Sequence, residues 1–455
     1  MKHRAKCTIV AIFALFMLVV TSCDTDFSNP NNPTEEVILN SKEGLYALSI
    51  GLNQFFTAGS AIVSAPLRQV IEAPGITTRE LGVTNTFLNI NELARGGTEL
   101  PPESGGITNP WVVLLRAKGM AESLIAGVDA VALSPGTRSG LLAYGNFYKA
   151  MCLGYLSGMW EQTVITNSPN GNAAFSVRAT VLAEAISLLT DARDAINANP
   201  ISDDFRNNVL GADINLLKCI NAFLSRYSLM AGNYNDAITH ADAVLNDAST
   251  PVSSIFNYDA NNVNPIWFRI NPAGPDLKPQ TNFGLLGAYV PEPGDGRVDF
   301  YLGANAGNAN TDAGGQPLSQ ALGFWATQTS PIPVYLHGEM LLNKAEAHAR
   351  LNQLSDAVTN LNLVRQKTTD PLGVNAGLAA WAGNVNSQTD ILEEIYKNRC
   401  IELFLTGMRF EDSRRFHPNL DPQIDNLTNE RNRNFYPYPS IERDNNPNTP
   451  ADSAI

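Results

Sequence analysis

Aromatic side chains in segments rich in Pro, Gly and Asn are the residues of this sequence that could recognise a ligand. A ring presents a flat apolar face to the C–H groups of a sugar, while neighbouring Asn, Asp, Gln or Arg side chains hydrogen-bond the hydroxyls. Ordinary core packing is the competing interpretation for each ring. We assign Trp111 and Trp267, which lie on regular elements, to the core. The rings that we expect to contact a ligand are Trp160, Tyr289, Phe324, Trp325 and Trp381.

Sequence motifs of catalytic centres are absent. The chain has no Gly-x-Ser-x-Gly elbow, phosphate-binding loop, Gly-x-Gly-x-x-Gly turn, His-Glu-x-x-His or Cys-x-x-Cys. Its 5 histidines are dispersed and lack the spacing of metal ligands. Carboxylates are plentiful, but a glycosidase needs two of them across one cleft, a separation that sequence does not give. We therefore expect a binding protein that is not an enzyme and holds no cofactor or metal, with a surface hydrolase as the less favoured alternative.

The charge balance and the cysteines narrow the class of protein. With 31 basic and 44 acidic side chains, the formal net charge is −13. This charge argues against nucleic acid or an anionic lipid surface as a partner, because both require a basic face. Cys152, Cys219 and Cys400 lie in helical patterns. Three scattered thiols make no disulfide framework, so we expect them to be buried as small apolar side chains.

The N-terminal segment has the residue order of a bacterial lipoprotein signal. Basic residues precede the apolar run 9–20, and small residues stand before Cys23. The run is shorter than the roughly 20 residues that span a bilayer. We expect cleavage after residue 22 and acyl chains on Cys23 that anchor the protein to a membrane. An ordinary secretory signal followed by a chance cysteine is the alternative.

Helical periodicity, with small residues at fixed spacing, predicts a stack of paired helices. Residues 218–245 have the spacing of a tetratricopeptide helix-turn-helix, and the pattern returns at 341–364. A weaker copy pairs 141–155 with 181–196, and 111–128 is a further amphipathic helix. One hairpin cannot bury its own apolar face, so neighbours must stack. The predicted fold is mainly α, a tetratricopeptide-like helical-repeat scaffold with a long loop-rich insertion.

The insertion is the segment between the two clear repeats, where Pro, Gly and Asn interrupt any helical period. Irregular segments held on a rigid scaffold often carry binding sites. Within this one, residues 267–270 have the composition of a short strand. The predicted units are a signal peptide (1–22), a lipidated flexible tether (23–40), a helical-repeat region (41–248), a loop-rich insertion that is the candidate ligand-binding region (249–330), a second helical-repeat region (331–418) and an irregular tail (419–455).

The C-terminal helices carry the residues of a family motif. The run 391–416 resembles the late-helix motif of SusD/RagB proteins, and the tail 436–448 is similar to that family's closing Pro-x-Pro, Glu and Asn-Pro-Asn elements. The early segments 31–34 and 51–53 are similar to its usual opening. The positions that fall on the late-helix motif are Arg399, Glu402, Gly407, Arg409, Asp412, Arg414 and Arg415.

The resemblance implies a lipid-anchored protein on the outer face of an outer membrane. Such a protein binds an oligosaccharide or, in some members, a peptide, and acts with a SusC-like TonB-dependent transporter. The two acids that follow Cys23 resemble the family's surface-export signal. The resemblance also implies that Arg399, Glu402, Arg409 and Asp412 form internal ion pairs that orient the last helices. A peptide-binding member of the RagB type and a pure protein interaction module stay open as alternatives.

Overall fold

The predicted signal peptide, its cleavage site and Cys23 lie outside the part of the chain that the structure describes. In this computed structural model the described residues are 39–58, 65–271, 275–305, 310–422 and 430–455. Within these ranges, none of the helices has the length and apolar character needed to cross a membrane.

Helices carry most of the described chain, which confirms the prediction of a mainly α fold. The first half contains α1 (Lys42–Thr57), α2 (Pro66–Thr77), α3 (Leu88–Arg95), α4 (Gly105–Val128), α5 (Pro135–Met159), α6 (Arg178–Ala198), α7 (Asp203–Phe205, continued by a π-helical turn Arg206–Leu210), α8 (Leu216–Met230) and α9 (Tyr234–Leu245). The second half contains α10 (Trp267–Ile270), α11 (Gly296–Tyr301), α12 (His337–Arg350), α13 (Leu354–Arg365), α14 (Gln388–Glu402), α15 (Arg409–Phe416) and α16 (Ser440–Asn445).

The two longest helices begin where the sequence supplies a capping side chain. The Ser104 hydroxyl accepts a hydrogen bond from the Gly106 amide at the start of α4 (3.2 Å), and the Ser134 hydroxyl accepts one from the Thr137 amide at the start of α5 (3.3 Å). Pro135 occupies the first position of α5, where an N–H group would have no partner within the helix. Because each cap satisfies an amide that the helix leaves free, it fixes where the helix starts.

Two helical hairpins share one turn geometry. Gly232 (φ +81°) joins α8 to α9, and Asn352 (φ +59°) joins α12 to α13. In both turns the amide of the next residue donates to the carbonyl five positions back, at 2.8 Å, which is the hydrogen bond of a Schellman turn. Residues 218–245 and 341–364 therefore contain paired helices, whereas their assignment to the tetratricopeptide class stays a prediction.

The long helices pack mainly in chain order, α4 on α5 and α5 on α6, and α9 and α12 join the two hairpins. Gly154 on α5 allows close contact with Tyr227 on α8, because a Cβ at this glycine would lie 2.0 Å from the tyrosine Cζ. Cys152, Cys219 and Cys400 are buried free thiols, as predicted. Burial raises the pKa of each thiol to about 12, so they act as apolar core side chains.

Short strands connect the irregular segments to the helices. They are β1 (Leu81–Val83), β2 (Gln162–Val164), β3 (Phe175–Val177), β4 (Ile255–Phe256), β5 (Leu277–Pro279), β6 (Leu302–Gly303), β7 (Gln320–Ala321) and β8 (Ile332–Pro333). They pair antiparallel as β1·β5, β2·β3, β4·β8 and β6·β7. In the first pair Leu81 lies opposite Pro279. This pairing holds the insertion against the segment that follows α2.

Residues 267–270 form a helical turn, so the prediction of a short strand there is wrong. Asn264 Oδ1 accepts hydrogen bonds from the amides of Ile266 and Trp267, both at 3.0 Å, and holds the chain in a turn that leads into α10. The turn leaves Trp267 only partly buried, in contrast to its predicted core position, whereas Trp111 lies in the core as predicted.

Candidate functional site

Three of the five rings expected to contact a ligand, those of Trp160, Phe324 and Trp325, are core residues. Trp160 is fully buried; its ring packs edge-on against Trp111 with 4.9 Å between centroids, and its Nε1 donates to Pro437 O at 3.0 Å. Trp325 is buried too, and with Phe324 it faces an internal cavity of about 30 Å³. Neither tryptophan presents a ring face to solvent. Neither tryptophan can therefore stack on a ligand, because the C-terminal tail covers Trp160 and the packing of the insertion covers Trp325.

The remaining predicted rings are partly exposed and lie at different places on the scaffold. Tyr289 donates its hydroxyl proton to Glu393 at 2.5 Å and packs edge-on against Tyr396 on α14. Trp381 packs against the small core formed by α12, α13 and α14, and its amide donates to Asn362 Oδ1 at 2.7 Å. The structure does not bring the five rings together. Ligand contact by Tyr289 and Trp381 stays a prediction.

A different set of side chains lines an open cleft of about 270 Å³ between α3 and the turn at residues 310–316. The cleft lies where the β1·β5 pair brings the insertion against the segment after α2. We call it the polar cleft. Its hydrogen-bonding side chains are Arg79, Asn91, Arg95, Gln280 and Asp312.

One wall of the polar cleft is α3. The amide and the Nδ2 of Asn91 both donate to Phe87 O, at 3.2 and 2.8 Å, so the helix starts directly after Phe87. Arg95 follows Asn91 by one turn and lies on the same side of the helix. Phe87 and Leu88 are 62% and 64% exposed. This wall therefore offers an exposed aromatic ring next to an amide and a guanidinium group.

The opposite wall is a turn held by Asp312. Its Oδ1 accepts hydrogen bonds from the amides of Gly314 (2.9 Å) and Gln316 (2.8 Å), and its Oδ2 accepts one from Gln280 Nε2 (2.8 Å). The turn approaches β1 at Gly82, where a Cβ would lie 2.9 Å from Asp312 Cβ. A glycine on the strand is thus what allows this wall to reach its position.

Arg79 forms part of the floor and has a strained backbone. Its φ is +70°, and its carbonyl lies so close to Gly284 that a Cβ there would be 1.9 Å from the oxygen. The guanidinium donates to Gln316 Oε1 at 3.3 Å. Burial, together with the nearby charge of Arg409, lowers the pKa of Arg79. Strained residues of this kind cluster at ligand-binding sites.

The arrangement suits a neutral polyhydroxylated ligand. The lining combines the guanidinium groups of Arg79 and Arg95 with amide and carboxylate groups, and the exposed ring of Phe87 lies one helical turn before Asn91, next to the lining residues and not among them. Asp312 is the only carboxylate among the described lining residues, so they do not supply the carboxylate pair of a glycosidase. Elsewhere in the described chain, no cluster of three or more His, Cys, Asp or Glu side chains could hold a metal ion.

Sequence reasoning missed the residues of the polar cleft. It selected aromatic residues in the long loops and Trp160 at the end of a helix, whereas the exposed ring near the cleft is Phe87 and the polar residues lie on a short helix and a distant turn. A signal was available: Phe87-Leu88 is an apolar pair flanked by Asn85 and Asn89 in an irregular segment. Nothing local in the sequence joins that pair to Asp312.

Four residues of the family motif are buried in the core and do not line the polar cleft: Arg399, Glu402, Arg409 and Asp412. Arg399 donates from Nε and Nη2 to the two oxygens of Asp412, at 2.8 and 3.0 Å. Glu402 pairs with Arg297 at 3.3 Å. Arg409 is buried and donates to a backbone carbonyl at 2.6 Å. These contacts join α11, α14 and α15 to one another and to the insertion.

Gly407 of the same motif lies in the turn between α14 and α15. Its φ is +79°, and a Cβ would lie 2.1 Å from Val70 O on α2. Only glycine fits both constraints. It therefore allows α2 to pack directly against this turn.

Known proteins share this architecture. Residues 325–453 match the family model described as the SusD family. A SusD superfamily protein from Bacteroides vulgatus superposes with a TM-score of 0.67 at 15% identity, over 91% of this chain and 99% of the other. A SusD-like carbohydrate-binding protein from Bacteroides fragilis gives a TM-score of 0.68 at 14% identity, over 90% and 99% of the two chains. No curated protein matches the chain.

These similarities define a protein with the SusD-like fold. Another SusD-like carbohydrate-binding protein, from Bacteroides vulgatus, gives a TM-score of 0.62 at 16% identity over 82% of this chain and 83% of its own. The sequence match covers the C-terminal helices, where the motif residues lie. Residues 325–453 thus match the SusD family, and the chain has the SusD-like fold.

Proposed function

We propose that this protein is a cell-surface lipoprotein that binds an oligosaccharide in the polar cleft and delivers it to a SusC-like TonB-dependent transporter. The observation that carries the proposal is the set of polar side chains that line the cleft, together with the exposed ring of Phe87 one helical turn before Asn91. Two solved proteins of the same fold are described as SusD-like carbohydrate-binding proteins, which supports a glycan as the ligand.

The physical argument for a glycan rests on the mixture of groups. Sugar hydroxyls both donate and accept, so a site for them needs amide, guanidinium and carboxylate groups together. The apolar face of a pyranose ring needs an aromatic surface at the edge of the same site. The polar cleft supplies the polar groups, and the exposed ring of Phe87 at the start of α3 supplies the aromatic surface. The turn that forms one wall is held in place by the hydrogen bonds of Asp312. A preformed site of this kind loses little entropy when it binds.

Affinity electrophoresis through gels that contain soluble starch, xylan, mannan, pectin or β-glucan would test glycan binding. We expect retardation in at least one gel and loss of most of it for Phe87→Ala and Asn91→Ala. A matched control is Phe268→Ala, because Phe268 is 41% exposed but lies on α10 and not on α3, the helix that carries Asn91 and Arg95. Retardation that is the same for Phe87→Ala, Asn91→Ala and the parent protein would reject the polar cleft as the site.

The anchor and the partner need separate tests. We expect Cys23 to incorporate labelled palmitate in the native host and Cys23→Ala to leave the membrane fraction. Affinity purification from detergent-solubilised outer membranes should recover a TonB-dependent barrel. An unlabelled Cys23, or purification without a barrel, would contradict the corresponding half of the proposal and leave glycan binding unaffected.

A further inference from the structure

A second open cleft, of about 440 Å³, lies between the start of α6, the helix α15 and the C-terminal tail. It shares no lining residue with the polar cleft. The chain as a whole has a net charge of −13, yet among the lining residues that the structure describes, basic side chains outnumber acidic ones by four to two. We call it the arginine cleft. Its charged lining residues are Arg178, Arg414, Arg415, Arg431, Glu161 and Glu411.

Neutral acceptors hold Arg431, and Arg414 has neutral partners besides the carboxylate of Glu411. Arg431 is fully buried and donates to Ser413 O at 2.9 Å and to His417 O at 3.0 Å. Arg414 donates to Asn434 O at 2.7 Å, and its guanidinium carbon lies over two phenylalanine rings at 4.3 and 4.4 Å. Carbonyl oxygens and ring faces position a guanidinium without neutralising it.

Glu411 is shared by three guanidinium groups. Its Oε1 lies 2.5 Å from Arg178 Nη2 and 3.5 Å from Arg415 Nη1, and its Oε2 lies 2.8 Å from Arg414 Nη2. Arg415 is further neutralised by Glu346 and by Asp412 of α15, but its Nη1 is buried without a hydrogen-bond partner. One carboxylate thus forms ion pairs with three guanidinium groups on the cleft side.

The second acidic side chain of the cleft, Glu161, does not neutralise the arginines. Glu161 accepts a hydrogen bond from the Ser453 hydroxyl at 2.6 Å and makes no ion pair with the four arginines among the described residues. Burial, and then the positive charges of Arg178 and Arg431, lower the pKa of Arg414 to about 10, although Glu411 opposes this shift. Burial is the largest cause of this lower pKa, and the two neighbouring guanidinium groups add to it.

Arg178 is the side chain best placed to receive a ligand. It is 26% exposed. Its Nε donates to Ser157 O at 3.2 Å and its Nη2 pairs with Glu411, which leaves the Nη1 donors uncommitted within the described chain. Planar guanidinium groups bind carboxylates through two parallel hydrogen bonds.

We propose that the arginine cleft binds the carboxylate group of an acidic ligand, with Arg178 as the contacting residue and Arg414 as the adjacent source of positive charge. The observations that carry this are the cleft, its four arginines and the sharing of one carboxylate between three of them. The site is independent of glycan binding in the polar cleft. A carboxylate can come from a sugar acid or from a peptide C-terminus.

Isothermal titration with glucuronate and with N-acetyl-alanyl-alanine separates these two sources, and glucose is the uncharged control for glucuronate. We expect at least one of the two carboxylates to bind and glucose not to bind at this site. Arg178→Gln should weaken carboxylate binding about tenfold, since it removes a charge-assisted contact. Arg178→Lys should lie between Arg178→Gln and the parent protein, because it keeps the charge but loses the planar fork.

Glu411→Gln should change carboxylate affinity in the opposite direction to Arg178→Gln, which a merely structural effect would not produce. It removes the negative charge that competes with the ligand, so carboxylate affinity should rise several-fold and fall again with added salt. Arg138→Gln is the control, because Arg138 pairs with Asp129 at the start of α5, outside the cleft. The inference is overturned if neither carboxylate binds, or if folded Arg178→Gln binds as tightly as the parent. Retained glycan retardation in Arg178→Gln would separate this result from a failure of the polar cleft.

Discussion

Charged side chains act differently in the helical scaffold and in the polar cleft. In the scaffold, Arg226 on α8 donates from Nε and Nη2 to the two oxygens of Glu339 on α12, at 2.6 and 2.8 Å, and both residues are buried. In the polar cleft, Arg95 is 43% exposed and lies 3.5 Å from Glu99. A guanidinium that is fully paired inside the protein fixes helices to one another. One that keeps donors toward solvent can bind a ligand.

Aromatic rings show the same difference. Trp160 packs against Trp111 and Tyr436, and its only polar atom is bonded to the tail. Phe87 lies at the start of α3 with most of its surface exposed. An exposed ring keeps its unfavourable contact with water in the folded state unless a ligand covers it. Ring size alone therefore does not distinguish the two roles; burial does.

Replacing Trp160 with alanine should have the largest effect on stability. The change opens a cavity at the junction of α5 and the tail and removes the Nε1 hydrogen bond to Pro437 O. We expect the free energy of unfolding to fall by about 3–5 kcal/mol, the range for truncation of a buried Trp. Urea denaturation followed by circular dichroism measures this. A loss below about 1 kcal/mol, typical of surface substitutions and small core changes, would contradict the core assignment.

Replacing Arg226 with methionine should have the second-largest effect on stability. It leaves the Glu339 carboxylate buried without its partner, and a broken buried ion pair costs about 3 kcal/mol or more. The matched control is the double variant Arg226→Met/Glu339→Leu, which removes both charges and should recover most of the loss. If the double variant is as unstable as the single one, packing around Arg226 and not the ion pair accounts for the effect.

The scaffold could be predicted from the sequence because its signals are local. Small residues and apolar residues at helical spacing fix the α8–α9 and α12–α13 hairpins, and a Gly or Asn in each turn marks where they reverse. The late-helix motif was recognised by its resemblance to that of SusD/RagB proteins, and its Arg399 and Asp412, on adjacent helices, form a buried ion pair. Periodicity needs no knowledge of distant contacts.

The candidate site could not be predicted because its determinants are distant in the chain. Trp160 is buried by a tail contact at Pro437, and the polar cleft exists because β1 pairs with β5 and Gly82 admits the Asp312 turn. No pattern around position 160 distinguishes a ring covered by the tail from one left open. The exposure of a loop aromatic is set by what the rest of the fold brings to it.

His417, which lies where the scaffold meets the surface, should make the stability of the protein depend on pH. Burial lowers its pKa, but the hydrogen bonds and charges of Glu430 (Nδ1, 2.7 Å) and Glu393 (Nε2, 3.2 Å) outweigh this and hold the pKa above its usual value. Tyr289 and Tyr396 also donate to these two carboxylates. A raised pKa means that the folded state binds the proton more tightly than the unfolded state.

The stabilisation from protonated His417 is therefore complete below the usual histidine pKa and is lost as the pH rises through the raised value. We expect the free energy of unfolding of the parent protein to fall over that interval more than that of His417→Gln, with an effect smaller than either core substitution. Urea titrations at a series of pH values measure the difference. Parallel pH dependences for the two proteins would show that His417 contributes nothing through its charge.

Phe87→Ala should have the smallest effect on stability and so completes the contrast with Trp160. The ring is 62% exposed, and surface substitutions usually stay within about 0.5 kcal/mol. We expect an unchanged urea midpoint together with weakened glycan retardation, whereas Trp160→Ala should lower the midpoint strongly. A destabilisation of Phe87→Ala comparable to that of Trp160→Ala would mean that the ring is part of the core, and the exposed edge of the polar cleft would no longer be available to stack on a sugar.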